Sequence, residues 1–227
     1  MRIAIVEDHR MMLDFLRKAC AKIPGIEVVA EASTGSEAYD QLVQRRPDGV
    51  ILDVGLPDAD GIELLGRVRD AGVRPRALIL SASSDPYFFF RVERAGVQAF
   101  VDKRSQTAAE LRTALIAMDG NHCYFSESFT SARAHRRRDP VSFDKILTEQ
   151  QLMVMCLVAE CQDDDQIAGR LEISSRTVEA HRTAIMHKLN IHSRTGLIAY
   201  GQSRGFKAGH APFPPRGRAA QPPSLGA

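Results

Sequence analysis

The amino-acid sequence predicts an α/β domain on a doubly wound, five-stranded parallel sheet, followed by a small all-α domain of four helices. Three observations predict it. Short apolar runs alternate with amphipathic stretches through residue 118, several of those runs stop on acidic residues, and after Thr148 a helical period returns without strands. Strands are expected at 2–7, 26–30, 49–53, 77–81 and 98–102. Helices are expected between and after them, at 9–22, 35–46, 61–71, 86–95 and 107–118. Strict strand–helix alternation calls for parallel strands joined by right-handed crossovers.

The strand ends carry the chemistry. Gly49-Val50-Ile51-Leu52 closes on Asp53 and breaks at once into Val54-Gly55-Leu56-Pro57-Asp58. Arg2-Ile3-Ala4-Ile5-Val6 runs into Glu7-Asp8, and Ala99-Phe100-Val101 into Asp102-Lys103. A buried strand that stops on a carboxylate places it at the sheet's carboxyl edge, where ligands of open α/β sheets bind. Glu7, Asp8, Asp53, Ser81 and Lys103 therefore share one crevice. Several carboxylates together are costly without a cation, and a hard divalent ion with oxygen ligands answers that cost.

Residues 119–145 show no sustained period and read as a linker, including the run Arg136-Arg137-Arg138. Beyond it, helices are expected at 148–160, 164–171, 175–190 and 193–203, with Thr148 and Ser174 or Ser175 as N-caps. The proline-rich stretch 207–227 reads as a disordered tail. Domain bounds are thus 1–118, 119–145, 146–206 and 207–227.

Charge follows the same division. Residues 1–119 carry 16 Lys and Arg against 18 Asp and Glu, whereas residues 174–218 hold eight basic residues and one acid, Glu179. That pattern suits a metal or phosphate site first and a polyanion partner second. No apolar stretch reaches the ~18 residues of a membrane span, so no membrane partner and a cytoplasmic location are expected. Cys20, Cys123, Cys156 and Cys161 form no CxxC pair and read as ordinary thiols.

Glu7-Asp8, Asp53 with Pro57 and Gly61 at four-residue steps, Leu80-Ser81-Ala82 and Lys103 together resemble the receiver domain of two-component response regulators. Asp165-Gln166-Ile167-Ala168, Ser174-Ser175-Arg176-Thr177-Val178 and Ile185-Met186-His187-Lys188-Leu189 resemble the LuxR-type helix-turn-helix, and the whole resembles the NarL/FixJ family. The resemblance implies a flavodoxin-like receiver in which Asp53 accepts a phosphoryl group from a partner histidine kinase. It implies Mg²⁺ held by Asp8 and Asp53, by Glu7 through water and by the Gly55 carbonyl. Lys103 would pair with a phosphoryl oxygen, Ser81 would bond another, and Phe100 would fill the space vacated. The lysine is followed by Arg104 where many receivers have a cis-proline.

On the recognition helix, Val178, Ile185 and Leu189 form one apolar stripe. Glu179, Ala180 and Thr183 then face base edges, Arg176, Thr177, Arg182 and Lys188 suit phosphates of duplex DNA, and Ser174 and Ser175 at the helix start are expected at the DNA as well. His181 and His187 lie on different faces, which speaks against a metal there. Leu197, Ile198 and Tyr200 are expected at a homodimer interface formed on phosphorylation. Two sequence departures bear on this domain: Cys161 stands where the family places Gly, and Asp163-Asp164-Asp165 puts acids near the DNA backbone. A regulator rather than an enzyme is expected. Mg²⁺-dependent phosphatases of similar chemistry carry a second Asp two residues after the nucleophile, and Gly55 stands there.

Overall fold

A computed structural model describes residues 1–104 and 107–207 of the 227-residue chain. The first five strands are β1 (Arg2–Val6), β2 (Glu27–Ala32), β3 (Gly49–Asp53), β4 (Arg76–Ser81) and β5 (Ala99–Asp102). They alternate with α1 (Arg10–Ala21), α2 (Gly35–Arg45), α3 (Gly61–Asp70), α4 (Pro86–Arg94) and α5 (Ala108–Asp119). All strand pairs are parallel, in the order β2-β1-β3-β4-β5, so the order reverses between β1 and β3. β3 is buried at every position, which is why it reads as an unbroken apolar run. The helices start where the sequence offers caps. Thr34 accepts from the Glu37 amide, Asp60 from Ile62 and Glu63, and Thr107 forms a capping box with Glu110.

The sheet has six strands rather than five. Tyr124–Phe125 form β6, parallel to β5, and the chain continues into α6 (Glu127–Arg138) and α7 (Phe143–Ile146). The expected linker 119–145 is therefore ordered structure. Its period is invisible because only Phe129 and Arg136 are buried on α6, and one of them is charged. Arg136 lies inside because its guanidinium meets Glu93 of α4 and, at 3.3 Å, Asp144. Arg133 and Arg137 reach the same Glu93, so the arginine run is an ion-pair clamp on α4. Phe129 lies 5.3 to 5.4 Å, ring centre to ring centre, from Phe89 and Phe100 and stacks on Phe125 at 4.8 Å.

The second domain comprises α8 (Glu149–Ala159), α9 (Asp164–Leu171), α10 (Ser175–Leu189) and α11 (Arg194–Arg204). Thr148 closes a capping box with Gln151, Asp163 one with Gln166, and Ser174 accepts from the Thr177 amide. Cys161 has φ +64°, so a side chain occupies the left-handed conformation that favours glycine. The stretch from residue 208 lies outside the described residues. Among the described residues no helix is long and apolar enough to cross a membrane.

Because Phe129 belongs to the receiver core, Phe129→Ala should destabilise the protein by about 3–5 kcal/mol, the range for a buried aromatic. Urea unfolding of the full chain checks this; a loss below ~1 kcal/mol would mean α6 only decorates the surface.

Candidate functional site: an acidic crevice and an exposed recognition helix

β1 and β3 are neighbours, so Glu7 and Asp53 emerge side by side at the carboxyl edge. Glu7 is fully buried and Asp53 is 8% exposed. The Lys103 ammonium sits between them, 2.7 Å from Glu7 Oε2 and 2.6 Å from Asp53 Oδ2. Burial pushes the Glu7 carboxyl up, the Lys103 bond opposes this, and the Asp53 charge pushes it up further. Burial alone would lower Lys103, but its bonds to Asp53 and Glu7 outweigh this and hold the ammonium above its ordinary value. The Gly55 amide donates to Asp53 Oδ1 at 3.2 Å. Asp8 is half-buried and takes the His9 ring nitrogen at 2.9 Å, and oxygen or nitrogen atoms of Glu7, Asp8 and His9 lie within 4.8 Å of one another.

This donor set fits a hard divalent ion: carboxylate oxygens dominate, and a fully buried Glu7 is relieved by positive charge. Ser81 is 7% exposed and its hydroxyl accepts from the Ser83 amide at 3.1 Å. Phe100 already occupies an interior seat, fully buried among Phe88, Phe89 and Phe129. Among the described residues there is no cis peptide, so the Lys103–Arg104 bond is trans. Arg104 instead folds back onto Asp102 through its backbone amide and guanidinium.

The second constellation is α10. Val178 and Ile185 are fully buried and Leu189 packs partly against the same core. The opposite side is open: Arg176, Glu179, Ala180, Thr183, Ala184, His187 and Lys188 line a shallow concavity of about 630 Å³. Two residues expected on phosphates are otherwise engaged. Arg182 bonds Asp164 at 2.9 Å, and the Lys188 ammonium bonds the Ile146 carbonyl at 2.8 Å and Gln151 at 2.9 Å. Ser174 and Thr177 share a hydroxyl–hydroxyl bond at the cap, and Ser175 donates to Asp165.

The three acids that looked hostile to DNA are parts of the fold. Asp163 caps α9, Asp165 takes Ser175, and Asp164 binds both Arg182 and Arg194. Those guanidinium bonds hold the Asp164 carboxyl below its usual range. Leu197 is fully buried in the domain core, so it is no dimer residue; Ile198 and Tyr200 are part-buried against that core. Gly201 explains why α11 sits so close. A side-chain carbon there would fall 2.6 Å from Met155 and 2.8 Å from Ala159.

Sequence reasoning missed the second role of α4. Tyr87-Phe88-Phe89-Phe90 is apolar on every side of the helix, and such a helix is buried all round. Phe88 and Phe89 enter the receiver core, whereas Tyr87 and Phe90 enter the core of the second domain.

Residues 3–116 match the family described as response regulator receiver domain, and residues 145–200 match the bacterial regulatory proteins of the luxR family. The chain belongs to the NarL/FixJ response regulators. The regulator is 30% identical over 210 residues to the oxygen regulatory protein NreC of Staphylococcus epidermidis, covering 88% of this chain and 96% of that one. It is 28% identical over 202 residues to the DNA-binding transcriptional activator EvgA of Escherichia coli K12, covering 89% and 98%. A solved structure of two RcsB dimers bound to two parallel DNAs shares the fold, with a TM-score of 0.61 and 23% identity over 89% of this chain and 98% of that chain.

Asp164 gives a pH prediction. Its folded value is depressed, so its stabilisation is present above the ordinary carboxylate value and is lost as pH falls through the folded one. The helical domain of this regulator should weaken in acid below about pH 4, the unperturbed carboxylate range. Asp164→Asn should cost ~1–3 kcal/mol at neutral pH and flatten that acid dependence, as read by thermal melts from pH 2 to 7.

Proposed function

We propose that the regulator takes a phosphoryl group on Asp53 from a sensor histidine kinase and, so modified, binds promoter DNA as a homodimer. The observation that carries this is the triad Glu7–Lys103–Asp53 at the strand ends, a buried nucleophile already held by fixed positive charge. An Asp53 carboxylate oxygen attacks the phosphorus of a phosphohistidine. The new P–O bond forms as the P–N bond breaks, and the imidazole nitrogen keeps the electron pair and gains a proton. Mg²⁺, held by Asp8, Asp53, the Gly55 carbonyl and, through water, Glu7, would supply charge that cancels the repulsion between two anions. The Lys103 ammonium, released from Asp53, then pairs with a phosphoryl oxygen, and the Ser81 hydroxyl donates to another.

EvgA is described as a DNA-binding transcriptional activator and RcsB was solved as dimers on DNA, which supports the same partner here. Glu179, Ala180 and Thr183 then read bases from the open side of α10, and Arg176 serves phosphates. Pairing of protomers falls to the exposed side of α11, where Thr195, Ala199 and Gln202 lie with Ile198 at the margin.

With Mg²⁺ and acetyl phosphate, intact mass should show one phosphoryl group, lost in Asp53→Asn and strongly reduced in EDTA. Uptake that survives Asp53→Asn would end the assignment. On DNA, Arg176→Ala should weaken all duplexes alike and lower the salt slope by about one charge. Thr183→Ala should change the preferred base by ~1–3 kcal/mol at one position. Lys188→Ala should lower thermal stability and weaken DNA binding less than Arg176→Ala does, because its ammonium already bonds the Ile146 carbonyl and Gln151.

A further inference from the structure

The loop that leaves β3 at Asp53 carries the Gly55 carbonyl and returns at Asp60 as the cap of α3. It closes on itself. The Gly61 amide donates to the Val54 carbonyl at 2.9 Å, and Gly55 pairs across the loop with Asp60. Gly61 leaves no room for a side chain, since a carbon there would fall 2.3 Å from the Asp53 carbonyl oxygen. Where Asp60 is held, Gly55 is therefore held as well. Val54 and Leu56 are buried in the receiver core, which keeps the loop down on the sheet. Apolar burial is non-directional, however, so it does not by itself fix the lateral position of Gly55.

Two directional anchors do, one on each flank. On the α4 side, the Arg91 guanidinium donates to Asp60 Oδ2 at 3.0 Å and to Oδ1 at 2.7 Å, while Oδ1 also accepts from the Ile62 and Glu63 amides. A planar fork on a carboxylate fixes angle as well as distance. Both side chains are at most 7% exposed. Capping alone does not ask for this, because a hydroxyl or a neutral amide at the same position would satisfy the same amides without burying a charge. On the α2 side, Asp58 Oδ1 accepts from the Gly35 amide at 2.6 Å and Oδ2 from the Ser36 amide at 3.0 Å. Gly35 permits that approach, since a side-chain carbon there would fall 2.5 Å from Ala59 Cβ. Among the described residues, neither Asp58 nor Arg91 bonds to Glu7, Asp8, Asp53 or Lys103.

We propose that Asp58 and Arg91 are positioning residues that suspend the Gly55 loop between α2 and α4 and so set how tightly the acidic crevice holds a divalent ion. This rests on the phosphoacceptor reading given above and names what tunes that site. Mg²⁺ demands near-ideal octahedral geometry from few protein ligands, so a ligand carbonyl on a loop that drifts sideways holds it poorly. Arg91 acts through Asp60, whose backbone pairs with Gly55, and Asp58 fixes the far turn of the same loop. Such outer groups orient the ligands without touching the ion, and their loss typically weakens metal binding roughly 10- to 100-fold.

Isothermal titration calorimetry of the full chain with magnesium chloride reads the ion directly, without any turnover. Asp58→Ala removes an anchor whose carboxylate lies at the surface. Arg91→Met is paired with Asp60→Asn, because loss of the guanidinium alone would leave a buried carboxylate unmatched, whereas asparagine still caps α3. Each of these variants should bind Mg²⁺ about tenfold more weakly than wild type, with thermal melts in EDTA close to wild type. Arg91→Lys keeps the charge but not the fork and should restore only part of the affinity. At saturating Mg²⁺, phosphoryl uptake from acetyl phosphate should return to near the wild-type rate, because the ion's loop has been loosened and the nucleophile has not. Wild-type affinity in either folded variant overturns the suspension and leaves the acceptor reading standing. A loss seen only where the EDTA melt has also fallen means general loosening and overturns it too. A wild-type chain that takes up neither Mg²⁺ nor a phosphoryl group on Asp53 overturns both.

Discussion

A fully buried carboxylate, Glu7, is the constraint on which the crevice depends. Removing such a group from water costs several kcal/mol unless a cation meets it. Lys103 is that cation, yet it emerges from β5 while Glu7 and Asp53 emerge from β1 and β3. β4 lies between, and strands are spaced about 4.8 Å apart, so the ammonium must cross roughly 10 Å of sheet edge. β4 ends on Ser81, and the ammonium reaches past that strand to stand 2.7 Å from Glu7 and 2.6 Å from Asp53. The order of the strands and the long side chain just after β5 are therefore one requirement.

That same Ser81 loop leads directly into α4, which explains why the helix carries so much. Its nine residues give three side chains, Phe88, Phe89 and Val92, to the receiver core and two, Tyr87 and Phe90, to its neighbour. Glu93 on its rim gathers three arginines from α6, and Arg91 on its base is held by Asp60. Isolated exposed ion pairs contribute little, but a convergent set around partly buried acids fixes position. Position is what matters for a helix placed between two cores, since a small shift on one side must be accommodated on the other.

Much of this was legible in the sequence and some was not, for physical reasons. β3 and its terminal Asp53 were legible because a doubly covered strand must be apolar throughout. The caps at Thr148 and Ser174 were legible because hydroxyls at helix starts satisfy orphan amides. α6 was not, because its inward residue at position 136 is an arginine whose burial depends on Glu93 of α4, far back along the chain, and on Asp144. The intramolecular bonds of Arg182 and Lys188 were not legible for the same reason. Helical spacing places them on the surface, but only tertiary structure supplies Asp164, Gln151 and the Ile146 carbonyl. Leu197 read as spare apolar surface because nothing local reveals how closely Gly201 lets α11 approach α8.

The acids of α9 show how one arrangement can serve stability and recognition together. Three aspartates beside a DNA backbone would repel it if they were free. Asp164 is instead spent on two arginines, Asp163 on helix amides and Asp165 on a serine hydroxyl. Each engagement screens a negative charge, and those of Asp164 with Arg182 and Asp165 with Ser175 also fix α10 relative to α9, the relation a groove-reading helix requires. The cost is that Arg182 and Arg194 no longer offer full charge to phosphates, so one domain alone has few cations for DNA.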